Sequence, residues 1–405
     1  MVLPEIFITL LSIVIIFSTL NWVIWFIRRI RSVYYRPFIS DFTSKVSVVI
    51  PVYKENTKIL VKTVDSILQN NPDEVILILD ETEKVNMEML KDEYGKNKIV
   101  KTHFISKPGK RPALAQGIRF SIHPIVVVVD SDTFWVGKDF LKKLIMPFSD
   151  IKVGGVGTRQ IVSGENKSIT QRLIDWFFDI KYSNFVPSDS ISGSVLCLSG
   201  RTAAYRRSCI INVVDRLEND FFLGHKCMGG DDARLTTLVM EQGYKTVYQD
   251  NCVAMTPFSG SFFNFLKQKT RWSRNSFRTY IKSIFSKWPW KQRRFYYIMA
   301  AYHTIVPGVT LLFGLFFFVY TIYLKLYFLA FIWFIWVIFS RFIKGFSHLR
   351  KNPVDIFILP FVIVYFYLLG FIKIYAFFTM TKESWAGSRN NYVIKNGIRV
   401  MTKKN

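Results

Sequence analysis

The sequence predicts an α/β domain set between membrane-spanning helices, and three observations predict it. Apolar residues concentrate in two places, Ile6 to Ile27 and Phe295 to Met380. Each run is long enough to hold segments of about 20 residues, the length that crosses a bilayer as a helix. Between them, from about Lys45 to Asp250, the patterning is that of a globular domain. In that domain, short continuous apolar runs alternate with helical spacing, the pattern of a parallel sheet covered on both faces.

The elements follow in order. Arg28, Arg29, Arg31 and Arg36 close the first apolar run, and Lys291, Arg293 and Arg294 precede the second. The positive-inside rule therefore predicts a cytoplasmic domain. Lys45 to Pro51 reads as a buried strand. Thr57 to Asn70 reads as a helix with Leu60, Val64, Ile67 and Leu68 on one face. Glu74 to Asp80 and Ile125 to Asp130 are further strands, and Val153 to Gly157 is a fourth candidate. Ser276 to Trp290, with its mixed aromatic and basic residues and Pro289, reads as an interfacial segment. Spans are expected near Tyr296–Tyr320 and Lys325–Phe342, with a third apolar segment over Asp355–Phe378. Three full crossings would put the C-terminus outside. Either the last segment is re-entrant or interfacial, or the number of spans differs from this count.

The net charge of +25 suits anionic lipid or an anionic substrate. No nucleic-acid motif accompanies it, so no nucleic-acid partner is expected. Cys197, Cys209, Cys227 and Cys252 lack zinc-type spacing and are expected to be reduced thiols. The first apolar run is longer than a signal core and its charges follow it, so it is expected to stay as an anchor.

Three motifs carry chemistry. Asp130-Ser131-Asp132 ends a strand of valines. In extended backbone its two carboxylates share a side and suit Mg²⁺ or Mn²⁺ with substrate phosphates; a solvated Asx turn is the plain alternative. Asp231 and Asp232 precede a helix ending at Gly243. One can be an N-cap, and one can be a base for an acceptor hydroxyl. Gln268, Arg271 and Trp272 lie at i, i+3 and i+4, one helical face. Arg can hold a diphosphate and Trp can stack on a sugar, although an interfacial belt also explains both. Pro108 to Pro112 is a rigid basic turn, suited to a diphosphate or simply solvated.

Together these motifs resemble the membrane-embedded processive glycosyltransferases of family 2, which include hyaluronan, chitin and cellulose synthases. The resemblance runs from about Val46 to Arg389, through Val49 to Glu55, Pro108 to Arg111, Val129 to Thr133, Gly155 to Gln160, Cys197 to Thr202, Gly230-Asp231-Asp232, Gly243 to Val247 and Gln268 to Trp272. It implies a nucleotide-diphospho-sugar transferase domain of GT-A type inserted between transmembrane helices. It also implies an inverting, processive polymer synthase using UDP-sugars, UDP-GlcA with UDP-GlcNAc or UDP-Glc, and extending a polysaccharide acceptor in the plasma membrane.

By that resemblance Tyr53, Glu55, Asp80 and Lys110 would surround the nucleotide. Asp130 would contact it, and Asp132 with Asp130 would hold the metal. Asp232 would be the base. Gln268 and Arg271 would meet the diphosphate or acceptor, Trp272 would stack on the acceptor sugar, and Trp385 to Arg389 would gate the exit. The implied organisation is a helix and basic flank over 1–36, the transferase domain over 37–260, interfacial helices over 261–294, membrane helices over 295–380 and a gating tail over 381–405. Three departures from the family pattern stand out: Ala233 follows Asp232 and the arginine is displaced to Arg234, the terminal motif is one residue longer, and a single hydrophobic segment precedes the domain. A non-processive enzyme acting on a lipid phosphate and a non-catalytic transporter or scaffold are the rival readings.

Overall fold

The computed structural model describes residues 5–164, 166–258 and 260–382, with the backbone of 392–395 and 398–401. Helix α1, Glu5–Tyr34, leads into strands β1 Val46–Val52, β2 Glu74–Asp80, β3 Val100–Ile105 and β4 Ile125–Val129. They alternate with helices α2 Thr57–Leu68, α3 Lys84–Tyr94 and α4 Lys110–Phe120. The domain continues through β5 Phe134–Trp135, α5 Phe140–Ile145, β6 Val153–Val162 and α6 Ile169–Ile180. A π-turn, Lys181–Phe185, then leads to α7 Val186–Ile191, β7 Thr202–Arg206, α8 Arg207–Ile211 and α9 Val214–Glu218. The hairpin β8 Phe221–Phe222 and β9 His225–Lys226 precedes α10 Asp231–Glu241 and β10 Lys245–Thr256.

Every residue of β1, β2 and β4 is buried, as continuous apolar runs require when helices cover both sheet faces. Alternate residues serve opposite faces. Val49, Ile76, Ile78, Val126 and Val128 join one core cluster, and Val48, Ile50, Leu77, Leu79, Val127 and Val129 join the other. Helix α2 starts where the Asn56 side chain accepts from the Lys58 and Ile59 amides, and buries Leu60, Val64 and Ile67 as its spacing predicts.

The sheet order is β3-β2-β1-β4-β7-β6-β10-β5. The parallel expectation holds from β3 to β4. It fails beyond β4, because β7 runs antiparallel to both β4 and β6, and the sheet is mixed. The five-residue β7 carries no periodic signal for its direction, which is set by pairing between strands remote in sequence.

Helices α11 Phe262–Phe285, α12 Trp288–Lys291, α13 Phe295–Ile305, α14 Pro307–Tyr323, α15 Tyr327–Leu349 and α16 Leu359–Phe378 follow, α16 preceded by a 3-10 turn, Pro353–Ile358. The hairpin β11 Tyr392–Lys395 and β12 Ile398–Met401 completes the described chain. Glu5–Tyr34, Tyr327–Leu349 and Pro353–Phe378 are long and apolar enough to cross a membrane, with mean hydropathies of 2.2, 1.7 and 2.3. The span expected at Tyr296–Tyr320 is instead a pair, α13 and α14, bent by 43°. Pro307 at the break has no amide hydrogen to continue the helical ladder.

The ends of Pro353–Phe378 both meet the transferase side of the molecule. Asp355 at its start accepts from Arg172 Nε on α6 at 2.7 Å. Just past its end, Thr379 Oγ1 accepts from Arg274 Nε on α11 at 3.0 Å. Along its length α16 runs beside α11, with Phe265 stacked on Tyr365 at 5.4 Å and Phe277 edge-on to Phe377 at 5.6 Å. Helices α1 and α14 meet in a separate apolar cluster, where Phe7 lies 5.6 Å from Phe317. Helix α15 returns, placing His348 Nδ1 2.8 Å from Asp179 Oδ2 on α6.

Candidate active site

The carboxyl ends of the parallel strands make one acidic edge, the expected ligand edge of such a sheet. Tyr53 and Glu55 follow β1, Asp80 closes β2, and Asp130 and Asp132 follow β4. Glu55 is buried and its Oε2 accepts from Ser131 Oγ at 2.9 Å, which ties the β1 and β4 ends together. Buried Asp80 accepts from the Thr82 amide at 3.1 Å and its hydroxyl at 2.7 Å.

Lys110 joins two of the sequence motifs. Its Nζ lies 2.7 Å from Asp130 Oδ1 and 2.9 Å from Asp231 Oδ2. Burial would lower its pKa, but the Asp130, Asp231 and Asp232 carboxylates outweigh it and push the ammonium above the usual lysine range. Burial raises the Asp231 pKa, the neighbouring ammonium lowers it, and the ammonium prevails. Gly200 closes the cluster. A Cβ there would stand 2.9 Å from Lys110 Nζ and 3.6 Å from Asp130 Oδ1, so any side chain would intrude on the ion pairs.

Asp231 is buried, whereas Asp232 is partly exposed, and its Oδ1 accepts from the Ala233 amide at 2.8 Å. The pair thus divides its work: Asp231 binds Lys110, and the partly exposed Asp232 sits at the helix start beside the Cys197 thiol. Burial, reinforced by the Asp232 charge, pushes the Cys197 thiol pKa well up.

The turn that presents both aspartates is held by a network absent from the predicted site. Arg111 donates to Gly229 O at 2.7 Å, Gly230 O at 3.4 Å, Leu217 O at 3.2 Å and Asp220 Oδ2 at 3.0 Å. Buried Asp220 also binds Arg234 at 3.1 Å and Lys282. Burial raises the Asp220 pKa, but Arg111, Arg234 and Lys282 hold it below the usual range. The displaced Arg234 therefore joins the scaffold of the turn. Gly230 has φ +73°, and a Cβ there would stand 2.9 Å from Asn275 Cβ on α11. The helix carrying Gln268, Arg271 and Trp272 thus packs directly against the Gly-Asp-Asp turn.

Gln268, Arg271 and Trp272 are all partly buried on α11. Arg201 and Lys269 flank the Trp272 ring, with cationic atoms 5.8 and 4.9 Å from its centre. Trp385 and Arg389 lie outside the described residues. A single charged residue such as Asp220 offers no motif, so sequence alone passes it over. Arg111 was legible only as part of a basic turn.

Asp130 and Asp132 supply hard oxygen donors, and Asp130 already faces a cation. Among the described residues no cluster of three or more histidine, cysteine, aspartate or glutamate residues is placed to hold a metal. Two carboxylates fit Mg²⁺ or Mn²⁺, whose remaining positions are commonly taken by water and substrate phosphates.

The description "Glycosyltransferase like family 2" matches residues 44–275, more than half of the 405. The chain belongs to this family. An N-acetylglucosaminyltransferase of Azorhizobium caulinodans is 30% identical over 241 residues, 58% of this chain and 60% of that protein. A hyaluronan synthase of Streptococcus pyogenes serotype M3 is 31% identical over 260 residues, 62% of this chain and 61% of the synthase. The chain thus spans about three-fifths of each of these relatives. Among solved structures, a mannosyltransferase from Pyrobaculum calidifontis, in complex with GDP-Man and Mn²⁺, superposes with a TM-score of 0.62. It is 15% identical, and the match covers 92% of this chain and 98% of that one. The family 2 fold is therefore a GT-A-like domain with a helical C-terminal region.

Proposed function

We propose that this family 2 chain is a processive, inverting β-glycosyltransferase. It polymerises UDP-sugars into an extracellular polysaccharide and passes the product through its own membrane helices. The observation that supports this reading is the packing of Gly230, beside Asp231 and the Lys110–Asp130 pair, on Asn275 of α11, the helix that also carries Trp272.

Tyr53, Glu55 and Asp80 take the nucleoside, and Lys110 and Arg271 attract the diphosphate. Asp130 and Asp132 hold Mg²⁺ or Mn²⁺, which when bound neutralises charge on the leaving diphosphate. Asp232 removes the proton from the acceptor hydroxyl. That oxygen attacks the anomeric carbon from the face opposite UDP, the bond to UDP breaks, and configuration inverts. Trp272 and Gln268 keep the acceptor end in place for the next addition, and Trp385 and Arg389 gate its exit.

The domains divide as the sequence suggests, at 36, 260, 294 and 380. The chain lies in the plasma membrane with the transferase domain cytoplasmic. Helices α1, α14 and α15 cross the bilayer, while α16 follows α11 along the interface. This arrangement leaves the C-terminus on the transferase side and removes the topological conflict of three full crossings after the domain.

The test uses the full chain in nanodiscs with Mg²⁺ or Mn²⁺. UDP release and product size are measured with UDP-GlcA, UDP-GlcNAc and UDP-Glc, singly and in pairs. A high-molecular-weight product from UDP-GlcA with one partner donor is expected. Short or lipid-linked products would replace processivity with single transfer. No release with any donor, from folded protein, would leave the scaffold reading. Asp232→Asn should bind UDP but lose turnover.

A further inference from the structure

We propose that Lys181, Arg201 and Lys269 form a binding site for the carboxylate of an acidic sugar in the acceptor strand, beside the Trp272 ring. This rests on the glycosyltransferase reading above and adds to it the chemistry of the acceptor.

The three cations come from three separate elements: the π-turn after α6, the turn before β7, and α11. Lys269 is only 5% exposed. Its ammonium lies 3.2 Å from the centre of the Phe177 ring, 4.9 Å from Trp272 and 5.2 Å from Phe265. The Arg201 guanidinium sits 4.6 Å from Phe258, 5.2 Å from Phe178 and 5.8 Å from Trp272, and donates to Gln160 Oε1. The Lys181 ammonium lies 4.9 Å from the Tyr182 ring. Among the described residues, none of the three forms an ion pair with a carboxylate.

Buried charge is costly unless paired, and two buried arginines of the transferase domain and its flank are paired. Arg28 lies 2.7 Å from Asp189, and Arg111 lies 3.0 Å from Asp220. Aromatic faces attract a cation without neutralising it. Burial, with the charges of Lys181 and Arg201, pulls the Lys269 pKa well below the usual lysine range. An arriving anion would relieve this mutual repulsion. The π-turn that positions Lys181 is itself a feature common at functional sites.

The shape of the site selects the anion. Trp272 is partly exposed, and Lys269 and Arg201 stand close to its ring. A sugar stacked there with a carboxylate substituent meets both features at once. The donor diphosphate has a separate cation, Lys110, at the strand edge.

The experiment measures binding to the full chain in nanodiscs with UDP and Mg²⁺. The probes are two acidic tetrasaccharides, alternating glucuronate with N-acetylglucosamine or with glucose, and their neutral methyl esters. At least one acid should bind roughly tenfold or more tightly than its ester, the scale of a charge-assisted contact. Lys269→Gln should remove most of that preference and Lys269→Arg should restore it, with UDP affinity as the control for folding. Should Lys269→Gln fail that control, Lys181→Gln replaces it under the same criteria. Equal binding of acid and ester by the wild-type chain would overturn the proposal. So would an unchanged preference in a folded variant, or a variant that loses UDP affinity while its preference remains. Glycan discrimination needs no turnover, so its failure is distinct from a failure of UDP release, which would sink the catalytic reading instead.

Discussion

Arg111→Met should unfasten the turn that carries Asp231 and Asp232 while leaving the donor-binding strand ends in place. The wild-type guanidinium makes firm contacts with Gly229 O and Asp220 Oδ2 at 2.7 and 3.0 Å, and weaker ones with Leu217 O and Gly230 O. Breaking a buried ion pair costs about 3–5 kcal/mol when the partner is stranded. Asp220 keeps Arg234 and Lys282, and methionine fills much of the same volume. We therefore expect the low end, about 3 kcal/mol, equivalent to a fall in melting temperature of roughly 6–12 °C for a domain of this size. A base displaced by about 1 Å costs on the order of a hundredfold in turnover, so kcat should fall by that much and UDP affinity far less. Thermal unfolding in detergent gives the first quantity, and UDP release with UDP titration gives the others. A variant with unchanged melting and full turnover would refute the claim that Arg111 holds the turn.

Gly230→Ala, at φ +73° and facing Asn275 Cβ at 2.9 Å, should lower turnover and cost about 1–2 kcal/mol in backbone strain. Adding Asn275→Gly, which removes that Cβ, should recover part of the turnover, and no recovery would argue against the clash. Burial raises the Asp179 pKa, but His348 and Lys351 outweigh it and bring it down to about 2. The stability gap between wild type and Asp179→Asn should therefore be full above about pH 4 and close as pH falls toward 2, reaching at most about 2.4 kcal/mol. A gap independent of pH would contradict that pairing. EDTA should abolish UDP release, and added Mn²⁺ or Mg²⁺ should restore it. Activity that survives exhaustive chelation would remove the metal role of Asp130 and Asp132.

The parts written in local pattern were legible in the sequence. The runs at Val46–Val52, Glu74–Asp80 and Ile125–Val129 announced buried parallel strands, because a strand covered on both faces must be apolar throughout. The Asp130 and Gly230 motifs marked the acidic edge for the same local reason. The antiparallel β7 was not legible, since five residues from Thr202 to Arg206 have no period that states a direction. Nor was the Lys110 bridge between Asp130 and Asp231, which joins positions far apart in the chain. Asp220 and Asn275 act only through tertiary contact and carry no sequence signature. Whether the apolar segment ending at Phe378 crosses or lies in the interface was open in the sequence, because hydropathy reports composition and not orientation. The Arg172–Asp355 and Arg274–Thr379 contacts support the interfacial course proposed above.

That course has a consequence for the surrounding lipid. Helix α16 is fastened to α11 near its end, through Arg274 to Thr379 and Arg278 to Met380 O at 3.2 Å. Helix α11 in turn bears on Gly230 through Asn275. A thinner or thicker bilayer shifts the depth at which an apolar helix rests. Here that shift would be passed through one rigid rod to the aspartates at the turn. Acyl-chain length should then act as a throttle on glycosyl transfer, with an optimum thickness at which the rod sits unstrained.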